Sequence, residues 1–295
     1  MKIALAKGFV EISEVSEGGH VPNLKVTNKS DDPVLLLDGE EVMGAKQNRV
    51  MNTSILLAAH SETVIPVSCT EQGRWQYNSR QFQESGNIMP ARSRSAKSSR
   101  VMANLHSSNF YDAGQGDVWN EVRHYHQSLG TSSYSGAMSD AFAQRDDDLR
   151  DYLGAFPLQP GQKGVVVLLN GAPVGADYLS QPEVYADLHE KLVKSFAVEA
   201  LLQRTSGETN PGDLAIEAYE MLRSLGDAIE SPFQPVGLGE DLRYEGERSG
   251  GAALVHEDSL VHLNVYPRAW SHAAGNFNHE NPGAFNLSDR LRRRF

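Results

Sequence analysis

Apolar and polar residues alternate over much of the first seventy positions with the two-residue period of half-buried strands. Phe9-Val10-Glu11-Ile12 and Leu24-Lys25-Val26-Thr27 carry that pattern, and Gly18-Gly19 and Asn28 to Pro33 supply turn chemistry between strands. Val34-Leu35-Leu36-Leu37 is a short unbroken apolar run, as expected of a strand buried on both faces. Val50 to Leu57 and Thr63 to Ser68 continue the series. Short strands at this spacing predict a sandwich-like or barrel-like sheet.

The pattern changes at residue 76. Residues 76–115 are rich in Ser, Gln, Asn and Arg and poor in large aliphatics, and read as an irregular basic segment, with Pro90 opening a helix through Leu105. Helical periodicity follows at 117–129 and 138–153. Arg145-Asp146-Asp147-Asp148 in the second of these reads as a solvated face.

A second β unit begins after Pro160-Gly161. Gly164 to Leu169, the Asn170-Gly171 turn and Ala172 to Ala176 form a hairpin signal. Pro182 then opens a long amphipathic helix carrying Tyr185, Leu188, Leu192, Phe196 and Leu201 at helical spacing. Another helix is predicted from Gly212 to about Ile229, and a closing hairpin pairs Ala252–Val255 with Leu260–Val265.

The predicted fold is α+β. An antiparallel, sandwich-like N-terminal portion (1–75) leads through the irregular segment (76–115) into helices packed on a small antiparallel sheet (116–266). All of 1–266 is expected to form one domain, followed by a poorly ordered polar tail, 267–295.

Composition narrows the functional classes. A net charge of −11 over 295 residues makes a nucleic-acid partner unlikely, because such binding relies on bulk positive charge. Basic character is local: Arg74, Arg80, Arg92, Arg94, Lys97 and Arg100 face the single acid Glu84 between 74 and 100. One cysteine, Cys69, excludes an internal disulfide and reads as a small core residue. No signal-peptide core or membrane-length apolar run is present, so a cytoplasmic protein away from membranes is expected. No metal-binding His pattern or cofactor fingerprint is legible, and neither a metal nor a cofactor is expected.

Two dense polar bursts interrupt the strand pattern. The first is Asp38-Gly39-Glu40-Glu41 followed by Lys46-Gln47-Asn48-Arg49; the second is Cys69-Thr70-Glu71-Gln72-Gly73-Arg74-Trp75. Charges beside apolar runs need partners or a ligand, since burying them unpaired is costly. Adjacent carboxylates on a strand point to opposite faces, so one of Glu40 and Glu41 could reach a pocket while the other meets solvent. Glu40, Glu41 and Glu71 are the candidate catalytic acids and bases. Lys46, Arg49, Arg74 and Arg100 suit phosphate, Gln47 and Asn48 could orient a hydroxyl, and Trp75 offers a stacking surface. The same residues would equally serve as an ion-pair network pinning a tight sheet corner, with Arg74 paired to Glu71.

These motifs carry a resemblance. Leu36-Leu37-Asp38-Gly39-Glu40-Glu41-Val42, Gly44 to Val50, and Ile65-Pro66-Val67-Ser68-Cys69 with Glu71 to Trp75 resemble the ARG and rhodanese-phosphatase-superfamily-associated protein family. Pro160-Gly161-Gln162, Asn170-Gly171 and the Gly250 to His262 stretch are also similar. The resemblance implies a setting in ADP-ribose or NAD-derived nucleotide metabolism and carries over no catalytic residue. Two functions are therefore expected as alternatives. One is an enzyme acting on an ADP-ribose-like phosphorylated nucleotide; the other is a non-catalytic ligand-sensing or docking module for ADP-ribose-processing partner enzymes.

Overall fold

A computed structural model describes residues 1–203 and 211–268, so most of the predicted polar tail lies outside the described residues. The fold is α+β. By its internal contacts the chain divides into two compact units. The first comprises Met1–Pro157, Glu190–Leu202 and Val236–Leu238; the second comprises Leu158–His189, Gln203–Pro235 and the chain from Gly239 onward.

The first unit opens with a short helix, α1 (Lys2–Ala6), and strands β1 (Val10–Glu14), β2 (Asn23–Asn28), β3 (Val34–Leu36) and β4 (Glu40–Gly44). It continues with β5 (Arg49–Met51), β6 (Ile55–Leu57), β7 (Ser61–Cys69) and β8 (Phe82–Ile88). Six of these form one antiparallel sheet in the order β1-β2-β7-β5-β4-β8, while β3 and β6 pair separately. Alternation decides the core: Val10, Ile12, Leu24, Val26, Ile65 and Val67 project inward and meet Leu36, Ile55 and Leu57 from the small sheet. The apolar run 50–57 is thus two strands in two sheets, because Asn52-Thr53-Ser54 turns the chain between them.

Helices α2 (Ala91–Ser108), α3 (Gln115–Leu129), α4 (Met138–Gln144) and α5 (Asp146–Ala155) complete this part of the unit. The segment expected to be irregular therefore contains β8 and the long α2, the latter opening just after Pro90 as predicted. The helical pattern over 138–153 breaks at Arg145, giving two helices instead of one.

The second unit contains β9 (Gly164–Leu169), β10 (Ala172–Leu179), α6 (Pro182–Leu202), α7 (Pro211–Ser224), and β11 to β14. Helix α6 gives its residues from Glu190 onward to the first unit. Strand β11 (Ile229–Phe233) begins where the last predicted helix was expected to end, after a 3₁₀ turn at Leu225–Asp227. Strands β12 (Glu240–Glu245), β13 (Ser249–His256) and β14 (Ser259–Pro267) follow, and the antiparallel order is β11-β12-β13-β14-β10-β9. One face packs Met221 of α7 and Leu225 against Leu242, Tyr244, Ala253, Val255 and Val265.

Gly251 on β13 shows how closely this second sheet is built. A Cβ there would sit 2.1 Å from the Asn264 backbone oxygen, on the neighbouring strand. Gly251→Ala is expected to cost about 2 kcal/mol, as overpacking of a tight site does, measured by chemical denaturation. An unchanged midpoint would show that β13 and β14 separate without penalty.

Candidate functional site

Strand β4 places two consecutive glutamates in the interior of the first unit. The pleat sends Glu40 and Glu41 to opposite faces, yet both are fully buried, so neither meets solvent as expected for one of them. Their environments differ. Lys191 of α6 donates to Glu40 Oε1 at 2.7 Å, and the Leu37 N–H donates to Oε2 at 2.9 Å. The same ammonium lies 2.5 Å from Glu84 Oε1. Burial alone would raise the Glu40 pKa, and Lys191 outweighs it, leaving the carboxyl below its ordinary range.

Glu41 has no such cation among the described residues. Thr70 Oγ1 donates to its Oε1 at 2.8 Å, and Oε2 accepts no hydrogen bond. Burial pushes its pKa up to about 7, against the opposing pull of Thr70, Ser85 and Asn87.

The bulge in β8 explains why those groups are there. Glu40 pairs with Ile88 but Val42 pairs with Glu84, so Ser85, Gly86 and Asn87 all lie opposite Glu41. Gly86 takes φ +80°, a backbone state open to glycine, and lets the strand loop around the carboxyl. Helix α6 runs beside this bulge. Lys191 reaches Glu84, Lys194 donates to Asn87 Oδ1 at 3.2 Å, Ser195 donates to the Met89 oxygen at 2.7 Å, and Glu199 accepts from the Arg92 N–H at 3.0 Å. Glu199 also accepts from Tyr125 at 2.5 Å, and burial raises both pKa values. Asp38 is paired with Lys97 of α2, whose ammonium also donates to the Met51 and Asn52 oxygens at 3.0 and 3.1 Å.

The remaining predicted residues assemble beside this interior. Arg74 grips Glu71 with two bonds, Nε to Oε1 at 2.9 Å and Nη2 to Oε2 at 2.7 Å. It also donates to the Ala45, Gln76 and Gly44 oxygens and to Asn48 Oδ1. Burial opposes ionisation of Glu71, but Arg74, Ser135 and the Asn48 N–H reverse it and hold the pKa low. Gln47 donates to the Glu71 backbone oxygen at 2.8 Å, and Asn48 donates to Ser139 at 3.3 Å. Arg49 is fully buried, 3.9 Å from Glu14, and accepted by Gln47 Oε1 at 3.3 Å. Burial lowers its pKa and raises that of neighbouring Cys69 to about 11, consistent with an inert core thiol.

On the outer side of this cluster Lys46 lies between two half-exposed rings, 5.2 Å from the Trp75 centroid and 5.1 Å from that of Tyr77. Arg100 pairs with Asp117 at 2.7 Å and joins none of these groups. The structure thus brings Glu71, Arg74, Gln47, Asn48 and Arg49 into one interlocked cluster, with Lys46 and Trp75 at its edge. Glu40 and Glu41 belong to a separate carboxyl interior.

Sequence reasoning missed Lys191, Glu84, Ser85, Asn87 and Thr70. Two signals were available: a lone glycine inside a polar strand, which marks a bulge, and Lys191, Ser195 and Glu199 at spacings of four on an otherwise apolar helix face. Among the described residues no group of three or more His, Cys, Asp or Glu is placed to hold a metal ion. No helix among them is long and apolar enough to cross a membrane.

An α+β protein whose β-rich unit buries paired and unpaired carboxyls against helices is the class these features define. The family model of the ARG and Rhodanese-Phosphatase-superfamily-associated Protein domain matches residues 1–266, and the chain belongs to that family. No curated protein and no solved structure matches the chain.

Two outcomes test the interior. The folded state keeps the Glu41 proton up to about pH 7, whereas the unfolded chain releases it near the ordinary value of 4.5. Stability therefore falls as pH rises between those values, by about 3 kcal/mol in all. Glu41→Gln removes this loss, so denaturation should show the variant gaining on the parent from about pH 5 to about pH 8; a constant difference would mean Glu41 is ionised throughout. Lys191→Met leaves Glu40 and Glu84 without their cation and should cost about 3–5 kcal/mol, with part recovered in the double variant with Glu40→Gln.

Proposed function

We propose that this protein acts on an ADP-ribose-like or NAD-derived phosphorylated nucleotide, with Glu41 as its acid–base group. One observation carries the reading: a fully buried carboxyl, unpaired with any cation among the described residues, titrates near neutrality inside a bulge that supplies hydroxyl and amide partners. A group poised near the working pH exchanges a proton most effectively. Lys191 holds the Glu40 pKa low on the opposite face of β4, so Glu41 is the carboxyl of the pair left to exchange a proton near neutrality. The family's association with ARG and rhodanese-phosphatase proteins supports a role alongside such enzymes and, through them, the substrate class. Reaching Glu41 requires Thr70, Ser85 and Asn87 to give way, which makes the bulge the moving part.

A second reading is favoured by the arginines. Arg49, Arg74 and Arg100 are engaged by groups of the chain itself, so they brace the structure instead of waiting for phosphate. On that reading the protein is a non-catalytic module that senses a ligand or docks on an ADP-ribose-processing enzyme.

Assays of the purified chain against ADP-ribose and its phosphorylated forms separate the two. The enzymatic reading expects turnover that Glu41→Gln lowers by about a hundredfold or more. No turnover, or turnover indifferent to Glu41→Gln, would sink it and leave the module.

A further inference from the structure

The edge of the second burst carries a feature the interior does not explain. Trp75 and Tyr77 are 47 % and 50 % exposed, and unlike the other exposed aromatics of the unit they flank one ammonium together. Between their rings lies the Lys46 ammonium, which spends one of its three donors on the Gly18 oxygen at 2.5 Å. Tyr77 donates to the Glu17 oxygen at 3.2 Å, fixing the second ring against the same loop.

The platform is held rigidly from behind. Arg74 donates to the oxygens of Ala45, next to Lys46, and Gln76, between Trp75 and Tyr77 in sequence. The Asn78 N–H donates to the Ala45 oxygen at 2.9 Å. Gly19 closes one edge, since a Cβ there would stand 3.0 Å from Lys46 Cδ and 3.3 Å from Trp75 Cζ2. Rigid aromatic surface with its polar neighbour already placed binds at low ordering cost.

The charge pattern selects the ligand. Aromatic faces attract cations, but Lys46 already occupies that position, so a cationic ligand is repelled. A neutral sugar would gain the ring contact and nothing from the ammonium. A flat, anionic molecule gains both: its ring packs on the exposed parts of Trp75 and Tyr77, and its acidic group meets the remaining Lys46 donors. Glu14 is buried, takes the Lys46 backbone N–H at 3.3 Å and faces Arg49; Glu17 is exposed in the loop that meets Tyr77, and it contacts that ring residue through its backbone oxygen.

We propose that Lys46, Trp75 and Tyr77 form a recognition platform for a nucleotide, the base stacking on the rings and a phosphate resting on Lys46. The proposal shares its substrate class with the reading of Glu41 as an acid–base group but needs no chemistry there. Binding also proceeds on the surface, where no bulge must open.

Titration of the full chain with AMP, adenosine, ribose 5-phosphate and inorganic phosphate tests it, read by calorimetry at low and moderate salt. AMP is expected to bind at least about tenfold more tightly than ribose 5-phosphate, the contribution of stacking. Adenosine should bind more weakly than AMP and without salt dependence, whereas the affinity of AMP and of any other phosphate that binds should fall with salt. Trp75→Ala should weaken AMP about tenfold, Trp75→Phe less, and Lys46→Gln should flatten the salt dependence. Thermal unfolding of each variant checks that the fold persists. Glu41→Gln should leave AMP binding unchanged, which separates this platform from the acid–base reading. The proposal is overturned if AMP does not bind, if ribose 5-phosphate matches AMP, or if Trp75→Ala and Lys46→Gln bind as the parent does.

Discussion

Two adjacent carboxyls on β4 cannot share one solution to burial, and the first unit is organised around that constraint. A strand sends consecutive side chains to opposite faces, and here both faces are covered. Glu40 is answered by a cation, Lys191, delivered by a helix far along the chain. Glu41 is answered by neutral donors and keeps its proton near neutrality. Ionised and unpaired, it would take a sizeable share of the stability of an ordinary domain. Protonation and the bulge around it are what make the arrangement compatible with a folded chain.

The bulge and helix α6 are two halves of the same device. Two additional residues of β8 must be accommodated opposite Glu41, which pulls the strand off register and frees its backbone groups. Lys194 holds the Asn87 side chain, and Ser195 and Glu199 take the Met89 oxygen and the Arg92 N–H just beyond the strand, so the helix secures the chain at and after the bulge. The conformational freedom of Gly86 matters for the same reason.

Much of this architecture was legible from sequence, and the exceptions have specific causes. Strands with clean alternation, such as β1, β2 and β7, and the hairpins β9–β10 and β13–β14 stand out because one face is apolar. Strand β8 was hidden because Phe-Gln-Glu-Ser-Gly-Asn-Ile has polar composition and a bulge instead of a period. Helix α2 is legible from Pro90, and its basic, serine-rich face suggests solvent, yet Ser93, Arg94, Ser95, Lys97 and Ser98 are buried, and Lys97 finds Asp38. The two bursts pointed to the right region but could not reveal partners that arrive from β8 and α6. Spacing along a chain records local geometry, whereas charge compensation is a long-range property of the fold.

That distinction reorders the candidate residues by what each charge has left to offer. Arg74 has its donors distributed over Glu71, Asn48 and three backbone oxygens, so moving it would dismantle the turn that carries Lys46 to Asn48. Arg49 is sealed beneath Trp75, its guanidinium 5.9 Å from the ring centroid, and acts on the surface only by supporting the indole. Lys46 alone among the cations of the bursts combines an ammonium with unspent donors and a place beside exposed rings. The buried arginines fix the shape; the lysine they position faces outward. A surface that recognises a ligand needs both kinds of cation, one to hold the ring in place and one with donors to spare, and the sequence places Arg49 and Lys46 three residues apart.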